Sequence, residues 1–159
     1  MKITKLEEYG LRCLLRVAGA GDRASVTIPE VAEAENISLD YAAKLLTTLR
    51  RLKLVKSIRG AKGGYSLARP AEQITLGETL KALGGLGFGQ NPCKSSFPGV
   101  MASCPHKKEC GIRPIWFTIA RYVSAALDQL TLADLVKRES TIKKLVDEKF
   151  QKQIRSFGP

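Results

Sequence analysis

The sequence contains a single histidine, two methionines and no long run of apolar residues. Charges interrupt its apolar stretches well before the roughly 18 to 20 residues that a membrane span needs, so we expect no transmembrane helix and no membrane partner. The histidine, His106, lies between Pro105 and Lys107, and no set of base, nucleophile and orienting residue is recognisable around it. These absences argue against a membrane protein and against an enzyme.

Acidic residues are scarce relative to basic ones. The chain has 26 Lys and Arg against 15 Asp and Glu, a net charge of +11, and its pI is near 9.7. Such an excess favours a polyanion or an anionic membrane surface as partner, and a nucleic acid is the simpler choice. Residues 1–9 mix lysine with glutamate instead of forming an apolar segment, so we expect no signal peptide and a cytoplasmic protein.

Three patterns in the N-terminal part predict helix starts. Thr4 with Glu7, and Thr27 with Glu30, form capping boxes in which side chains satisfy the unpaired backbone N–H groups of a first turn. Ser38 is placed to cap a third helix. The apolar residues that recur there at helical spacing are Leu39, Ala42, Leu45, Leu46, Leu49 and Leu52. The second and third helices, joined by a tight turn, predict a helix-turn-helix, whose second helix enters the major groove of DNA.

The segment after the third helix has the pattern of a β-hairpin. Two short strands, Leu54–Ile58 and Tyr65–Leu67, flank the glycine-rich basic turn Arg59–Gly64. We interpret this hairpin as the wing of a winged helix, followed by a fourth helix that Thr75 caps. The predicted fold class is therefore mostly α with a small β-wing, and residues 1–83 form a winged helix-turn-helix DNA-binding domain.

The third helix and the wing supply the candidate contacts to double-stranded DNA. At the start of the helix, Asp40 can accept a hydrogen bond from a cytosine amino group, and Ser38 is either a base reader or only a cap. Arginine and glycine in the wing suit close approach to phosphates or to the narrow minor groove. The candidates are Ser38, Asp40, Tyr41, Lys44, Arg50, Arg51, Arg59, Gly60, Lys62 and Gly63. Alternatively, these charges form an ordinary solvated face and the hairpin is only structural.

Residues 84–111 lose helical periodicity and contain three of the four cysteines, Cys93, Cys104 and Cys110. Three clustered thiols cannot all pair as disulfides, and soft thiolates suit an iron-sulfur cluster or zinc. We therefore predict a metal-binding loop here. Zinc with His106 as fourth ligand, and unligated reactive thiols, are the alternatives. Cys13 lies in an apolar helical pattern and is expected to be a small buried hydrophobe.

Helical periodicity returns at Ile112 with an apolar stripe of about five turns. Its members are Ile115, Trp116, Ile119, Val123, Ala126, Leu127 and Leu130. The stripe is longer than one small winged domain can cover, so residues 112–136 are predicted to be a dimerisation helix of a homodimer that binds a palindromic operator. Residues 137–159 form a basic tail, for which packing on the neighbouring subunit and extra DNA contact are both open.

Four stretches together resemble the Rrf2 family of transcription regulators. They are Met1–Arg12, Ile37–Tyr41, Leu54–Tyr65 and the three-cysteine loop before Trp116. The resemblance covers the chain to about Leu135. It implies a homodimeric winged-helix repressor or activator in which an iron-sulfur cluster sets the DNA affinity.

The resemblance also implies a ligand set. Cys93, Cys104 and Cys110 match the family's cysteine triad, whereas Arg113 stands where the IscR-type assembly regulators carry a ligand histidine, and it cannot bind iron. Glu8 matches the acidic fourth ligand that the partner subunit supplies in NsrR-type nitric-oxide sensors. This favours a repressor with a 4Fe-4S cluster, or alternatively 2Fe-2S, that responds to nitric oxide or to redox and iron status. An assembly or iron-status regulator, a zinc-stabilised DNA-binding module and an electron-transfer protein are the other readings.

Overall fold

In the computed structural model, the structure describes residues 3–21, 25–60, 63–84, 106 and 109–156. The predicted site residues Cys93, Cys104 and Lys62 lie outside these ranges. The helices and strands in chain order are α1 (Lys5–Gly19), α2 (Ile28–Ala34), α3 (Leu39–Arg51), β1 (Val55–Ile58), β2 (Gly64–Leu67), a 3-10 turn (Ala71–Gln73), α4 (Leu76–Ala82), α5 (Ile112–Leu127), α6 (Leu132–Leu135) and α7 (Glu139–Ser156). This order of mostly helices with one hairpin confirms the predicted fold class.

The helix starts follow the capping residues that the sequence predicts. The Thr4 hydroxyl accepts from the backbone N–H of Glu7 while the Glu7 carboxylate accepts from that of Thr4, and Thr27 with Glu30 repeats the arrangement. Ser38 accepts a hydrogen bond from the backbone N–H of Tyr41 at 3.2 Å. These local contacts confirm the predicted starts of α1, α2 and α3.

The core of the N-terminal part lies between α1 and α3 and extends under the hairpin. Leu14, Leu45, Leu46, Leu49 and Leu54 are all fully buried, which confirms most of the predicted apolar face of α3. Leu39 is the exception, because its side chain is 57% exposed. It is the first residue of α3, so it stands beyond the part of the helix that the core covers.

Cys13 is fully buried among these core residues. Burial raises the pKa of its thiol to about 12, and the negative charge of Glu35 acts in the same direction. The thiolate is therefore disfavoured, which fits the predicted role of Cys13 as a packing residue.

The hairpin pairs β1 with β2 antiparallel, and Val55 lies opposite Leu67. Val26, just before α2, adds a short third strand segment, since its N–H and C=O exchange hydrogen bonds with Tyr65 at 2.9 and 2.8 Å. The wing is thereby joined to the loop that precedes the helix-turn-helix. The sequence does not predict this pairing, because a single paired residue has no periodicity.

Contacts between distant parts of the chain join the end of α5 to α4. The Leu76 N–H donates to the Leu130 carbonyl at 2.7 Å and the Leu132 N–H donates to the Ile74 carbonyl at 2.9 Å. An ion pair between Lys81 and Asp128 of 2.9 Å lies beside them. The C-terminal end of α5 is thus held on the winged-helix core.

The rest of α5 is largely uncovered. Its exposed large apolar side chains are Ile112, Ile115, Trp116, Phe117, Ile119 and Tyr122, and Ala120 is its one buried residue. The predicted stripe is therefore split, with its C-terminal part packed on α4 and its N-terminal part facing outward. Within the described ranges, no helix is both long and apolar enough to cross a membrane.

Candidate nucleic-acid interface and cysteine site

The turn between α2 and α3 has the geometry of a helix-turn-helix. Asn36 takes a left-handed conformation, with φ of 50°, and the Ile37 N–H donates to the Ala32 carbonyl at 3.0 Å. Asparagine tolerates this conformation better than most residues. The chain consequently reverses within a few residues and presents the start of α3 at the surface.

The outward face of α3 carries most of the predicted DNA contacts. Asp40, Lys44, Arg50 and Arg51 are all exposed on it. Tyr41 differs, because its ring is half-buried and meets the ring of Tyr9 edge to face, with 5.9 Å between the centroids. The structure therefore gives Tyr41 a packing role at this helix start, while its contact with DNA stays a prediction.

The wing turn needs glycine at the predicted positions for steric reasons. Gly60 has a φ of 107°, a region that residues with a Cβ rarely adopt. A Cβ on Gly63 would lie 2.7 Å from the Gly60 carbonyl oxygen and 2.8 Å from that of Ile58. The resulting tight turn exposes Arg59, a cation suited to a phosphate or to the minor groove.

Cys110 lies just before α5 and is half-buried. Its thiol is free of any disulfide, and its carbonyl accepts from the backbone N–H of Arg113 at 3.2 Å. Arg113 also donates from Nη2 to the His106 carbonyl at 2.9 Å. Arg113, which stands where the resemblance would place a histidine ligand, thus ties the end of the cysteine loop to α5.

Glu8 is exposed on α1. Its Oε1 accepts from Nη2 of Arg12 at 2.9 Å, and the Arg12 guanidinium lies 5.7 Å from the centre of the Tyr9 ring. This Arg12 contact was not predicted from the sequence, although opposite charges four residues apart on a helix favour such an ion pair. Across the residues that the structure describes, no three His, Cys, Asp or Glu side chains group closely enough to hold a metal ion.

Known transcription regulators are similar to this chain over most of its length. A model of the Rrf2 family, described as iron-dependent transcriptional regulators, matches residues 3–138. The protein rrf2 of Nitratidesulfovibrio vulgaris is 35% identical over 145 residues, covering 88% of this chain and 90% of that protein.

Two solved structures are similar over most of the chain. CymR, the global cysteine regulator of B. subtilis, is 32% identical with a TM-score of 0.65, covering 86% of this chain and 96% of CymR. IscR of T. potens is 27% identical with a TM-score of 0.66, covering 86% of each chain.

Proposed function

This chain belongs to the Rrf2 family of transcription regulators, and we propose that it is a dimeric repressor whose affinity for DNA is set by an iron-sulfur cluster. Its relatives are transcription regulators and not enzymes. The helix-turn-helix and the wing are the parts that bind DNA, and regulators of this family are typically dimeric. We further propose which cluster it binds, which signal it senses and which surface forms the dimer.

The observation that carries the cluster proposal is the cysteine triad. Cys93, Cys104 and Cys110 fall within residues 84–111, and Cys110, the one whose structure is described, is half-buried and forms no disulfide. Thiolates are the usual protein ligands of iron-sulfur clusters, so this residue fits the group. We favour a 4Fe-4S cluster over 2Fe-2S, and we place the protein in the cytoplasm, where thiols stay reduced.

Glu8 of the partner subunit is our proposed fourth ligand. Its carboxylate is exposed and held by a single described ion pair, to Arg12. A surface ion pair of this kind contributes only about 0.5 kcal/mol, so exchanging it for a metal ligand costs little. A hard carboxylate beside three thiolates is an easily displaced ligand, which favours a nitric-oxide sensor of the NsrR type over an iron-status regulator.

The uncovered N-terminal part of α5 is the proposed dimer interface, with a second copy of this chain as its occupant. Several neighbouring exposed apolar side chains on one helix generally mark an interaction site. Two identical copies related by a two-fold axis would cover both α5 helices at once and would match a palindromic operator.

The fold suggests how the state of the cysteine site affects DNA binding by α3. When bound, the cluster supplies a centre that reacts with nitric oxide or changes redox state. Cys110 adjoins the start of α5, and the other end of α5 is fixed to α4 through Asp128 and Leu130. A change in the position of Cys110 therefore moves a helix that is attached to the DNA-binding domain, and this alters the spacing of the two α3 helices.

Anaerobic purification followed by an ultraviolet-visible spectrum and analysis of iron and acid-labile sulfide tests the cluster. We expect a brown native protein, loss of the chromophore in Cys110→Ser, and a less stable chromophore in Glu8→Gln. Glu33→Gln, which removes another exposed carboxylate, should match the native protein.

A colourless protein that contains zinc would overturn the cluster proposal. If zinc were then lost in His106→Ala, the site would be the zinc alternative with His106 as the fourth ligand. The winged-helix regulator would in that case remain, with a structural metal instead of a sensor.

A further inference from the structure

The exposed side chain of Leu39 lies on the DNA-binding face. Single exposed leucines are common and need no special reason. Leu39, however, is the first residue of α3, in the part of a recognition helix that meets base edges. A large apolar side chain that is 57% exposed at this position can make an apolar contact with a base.

Leu39 heads a row of methyl-bearing side chains. Ala43 and Thr47 follow at intervals of four residues along α3, so the three lie on one side of the helix. Ala42, Leu46 and Leu49, on the side that faces the core, are buried. The row therefore runs along the border of the core-facing side, with Leu39 and Thr47 exposed and Ala43 half-buried.

Basic residues lie near this row. Lys44 lies beside the row, and Arg50 and Arg51 are exposed at its C-terminal end, where they can meet phosphates. With these cations on phosphates, Leu39 at the other end of the row can reach the floor of the groove. There, the apolar group that distinguishes one base from another is the 5-methyl group of thymine.

We propose that Leu39, supported by Ala43, recognises the 5-methyl group of a thymine in the major groove of the operator. This inference rests on the DNA-binding part of the proposed function and is independent of the cluster. It assigns to Leu39 a role in specificity, alongside the polar contacts predicted for Asp40.

A double-mutant cycle between protein and DNA tests the inference. The probe is a duplex that the native protein selects from a random-sequence library, in which each thymine is replaced in turn by deoxyuridine, which lacks only the methyl group. At one thymine of each half-site, we expect the replacement to weaken native binding about fourfold, or about fifteenfold for the symmetrical pair.

The decisive comparison is with Leu39→Ala. This variant should bind the original duplex more weakly and should lose the deoxyuridine penalty, with less than about a twofold difference between the two duplexes. Leu39→Met, which keeps an apolar side chain of similar volume, should retain a penalty, as should Val136→Ala, which shortens an exposed apolar side chain outside α3.

Two results would overturn the inference. One is a native protein that tolerates deoxyuridine at every thymine, and the other is a Leu39→Ala variant that keeps the full penalty. If the native protein selects no duplex at all, the DNA-binding function fails as well. If the native protein selects a duplex but binds it equally well with deoxyuridine, the methyl contact is wrong and the DNA-binding function stands.

Discussion

Gly77 is the residue on which the junction between α4 and α5 most closely depends. An added Cβ would lie 2.0 Å from Oδ1 of Asp128 and 3.1 Å from its backbone nitrogen. We expect Gly77→Ala to lower the free energy of unfolding by about 1 to 3 kcal/mol, because the methyl group displaces the Asp128 carboxylate from Lys81 and crowds the Asp128 backbone nitrogen. Urea denaturation monitored by circular dichroism measures the change.

Gly111→Ala is the matched control for this prediction. An added Cβ there has no neighbour within 4 Å, so its stability should equal or slightly exceed that of the native chain. The double variant Gly77→Ala with Asp128→Ala should recover much of the loss. Equal stability of Gly77→Ala and the native chain would show that the junction is looser than the structure indicates.

Arg59 in the wing is expected to act on DNA alone. Arg59→Ala should weaken binding about 5- to 10-fold, as the loss of one phosphate or minor-groove contact does, and it should reduce the slope of log Kd against log salt by about one. Fluorescence anisotropy at several salt concentrations gives both values.

Arg16→Ala, which removes an exposed arginine of α1, is the charge control. It should leave the salt slope near its native value, and the cluster spectrum of Arg59→Ala should be unchanged. An altered spectrum would mean that the wing and the cluster site are not separate.

Some single residues could be predicted from the sequence and others could not. The capping residues Thr4, Thr27 and Ser38 were recognisable because their hydrogen bonds join residues three positions apart. The exposure of Leu39 was not, since helical periodicity assigns a leucine to the apolar face without showing where the covering core ends. The clash that excludes a side chain at Gly77 needs the position of Asp128, which is distant in the sequence.

At the scale of helices, Asp134 connects α6 to α7. Its carboxylate accepts from Nζ of Lys137 at 2.9 Å and from Nζ of Lys149 at 3.1 Å, and Lys149 also donates to the Gln129 carbonyl at 2.6 Å. Burial raises the pKa of Asp134, but the hydrogen bonds from Lys137, Lys149 and Thr131 outweigh it, so the pKa lies well below its usual range. The start of the basic tail is thereby held against the end of α5.

This ion-pair network should make stability depend on pH. Because the folded pKa of Asp134 lies below the unfolded value, its contribution is complete above about pH 4 and declines as the pH falls through the folded pKa. We expect Asp134→Asn to cost about 1 to 3 kcal/mol at pH 7 and progressively less below pH 4, measured by urea denaturation across the pH range.

Asp147→Asn is the control, since it changes an exposed carboxylate on α7 and should have little effect at either pH. A penalty for Asp134→Asn that stays constant down to pH 2 would exclude the charge as its cause. Such a result would mean that the shape of the Asp134 side chain, and not its charge, stabilises the fold.

The elements themselves were largely predictable, whereas their long-range contacts were not. The spacing of apolar residues marked α3 and α5, and the glycine-rich turn marked the wing, because these signals are local. The added strand segment at Val26 and the hydrogen bonds between residues 74–76 and 130–132 join parts distant in the sequence. They depend on how the elements meet, about which periodicity carries no information.

For the whole molecule, the exposed side of α5 predicts the oligomeric state. Trp116→Lys with Ile119→Lys should convert the dimer to a monomer, because burying two unpaired charges at the interface costs several kcal/mol. Sedimentation equilibrium measures the oligomeric state. Val136→Lys, which places a charge at an equally uncovered apolar residue outside α5, should remain dimeric.

A monomeric native chain, or a double variant that stays dimeric, would contradict this interface. The monomeric variant should also bind a palindromic duplex far more weakly than the native dimer. That loss follows because the two half-sites would no longer be bound by one molecule.

The central claim is that the state of the cluster sets the affinity for DNA. The most direct test is an anaerobic anisotropy titration of one selected duplex with the cluster-loaded protein, the nitric-oxide-treated protein and the cluster-free protein. We expect a Kd that differs at least about tenfold between the loaded and the other two forms, within the usual range of coupling between two sites. Three equal Kd values would contradict the claim and leave a winged-helix regulator that the cluster does not control.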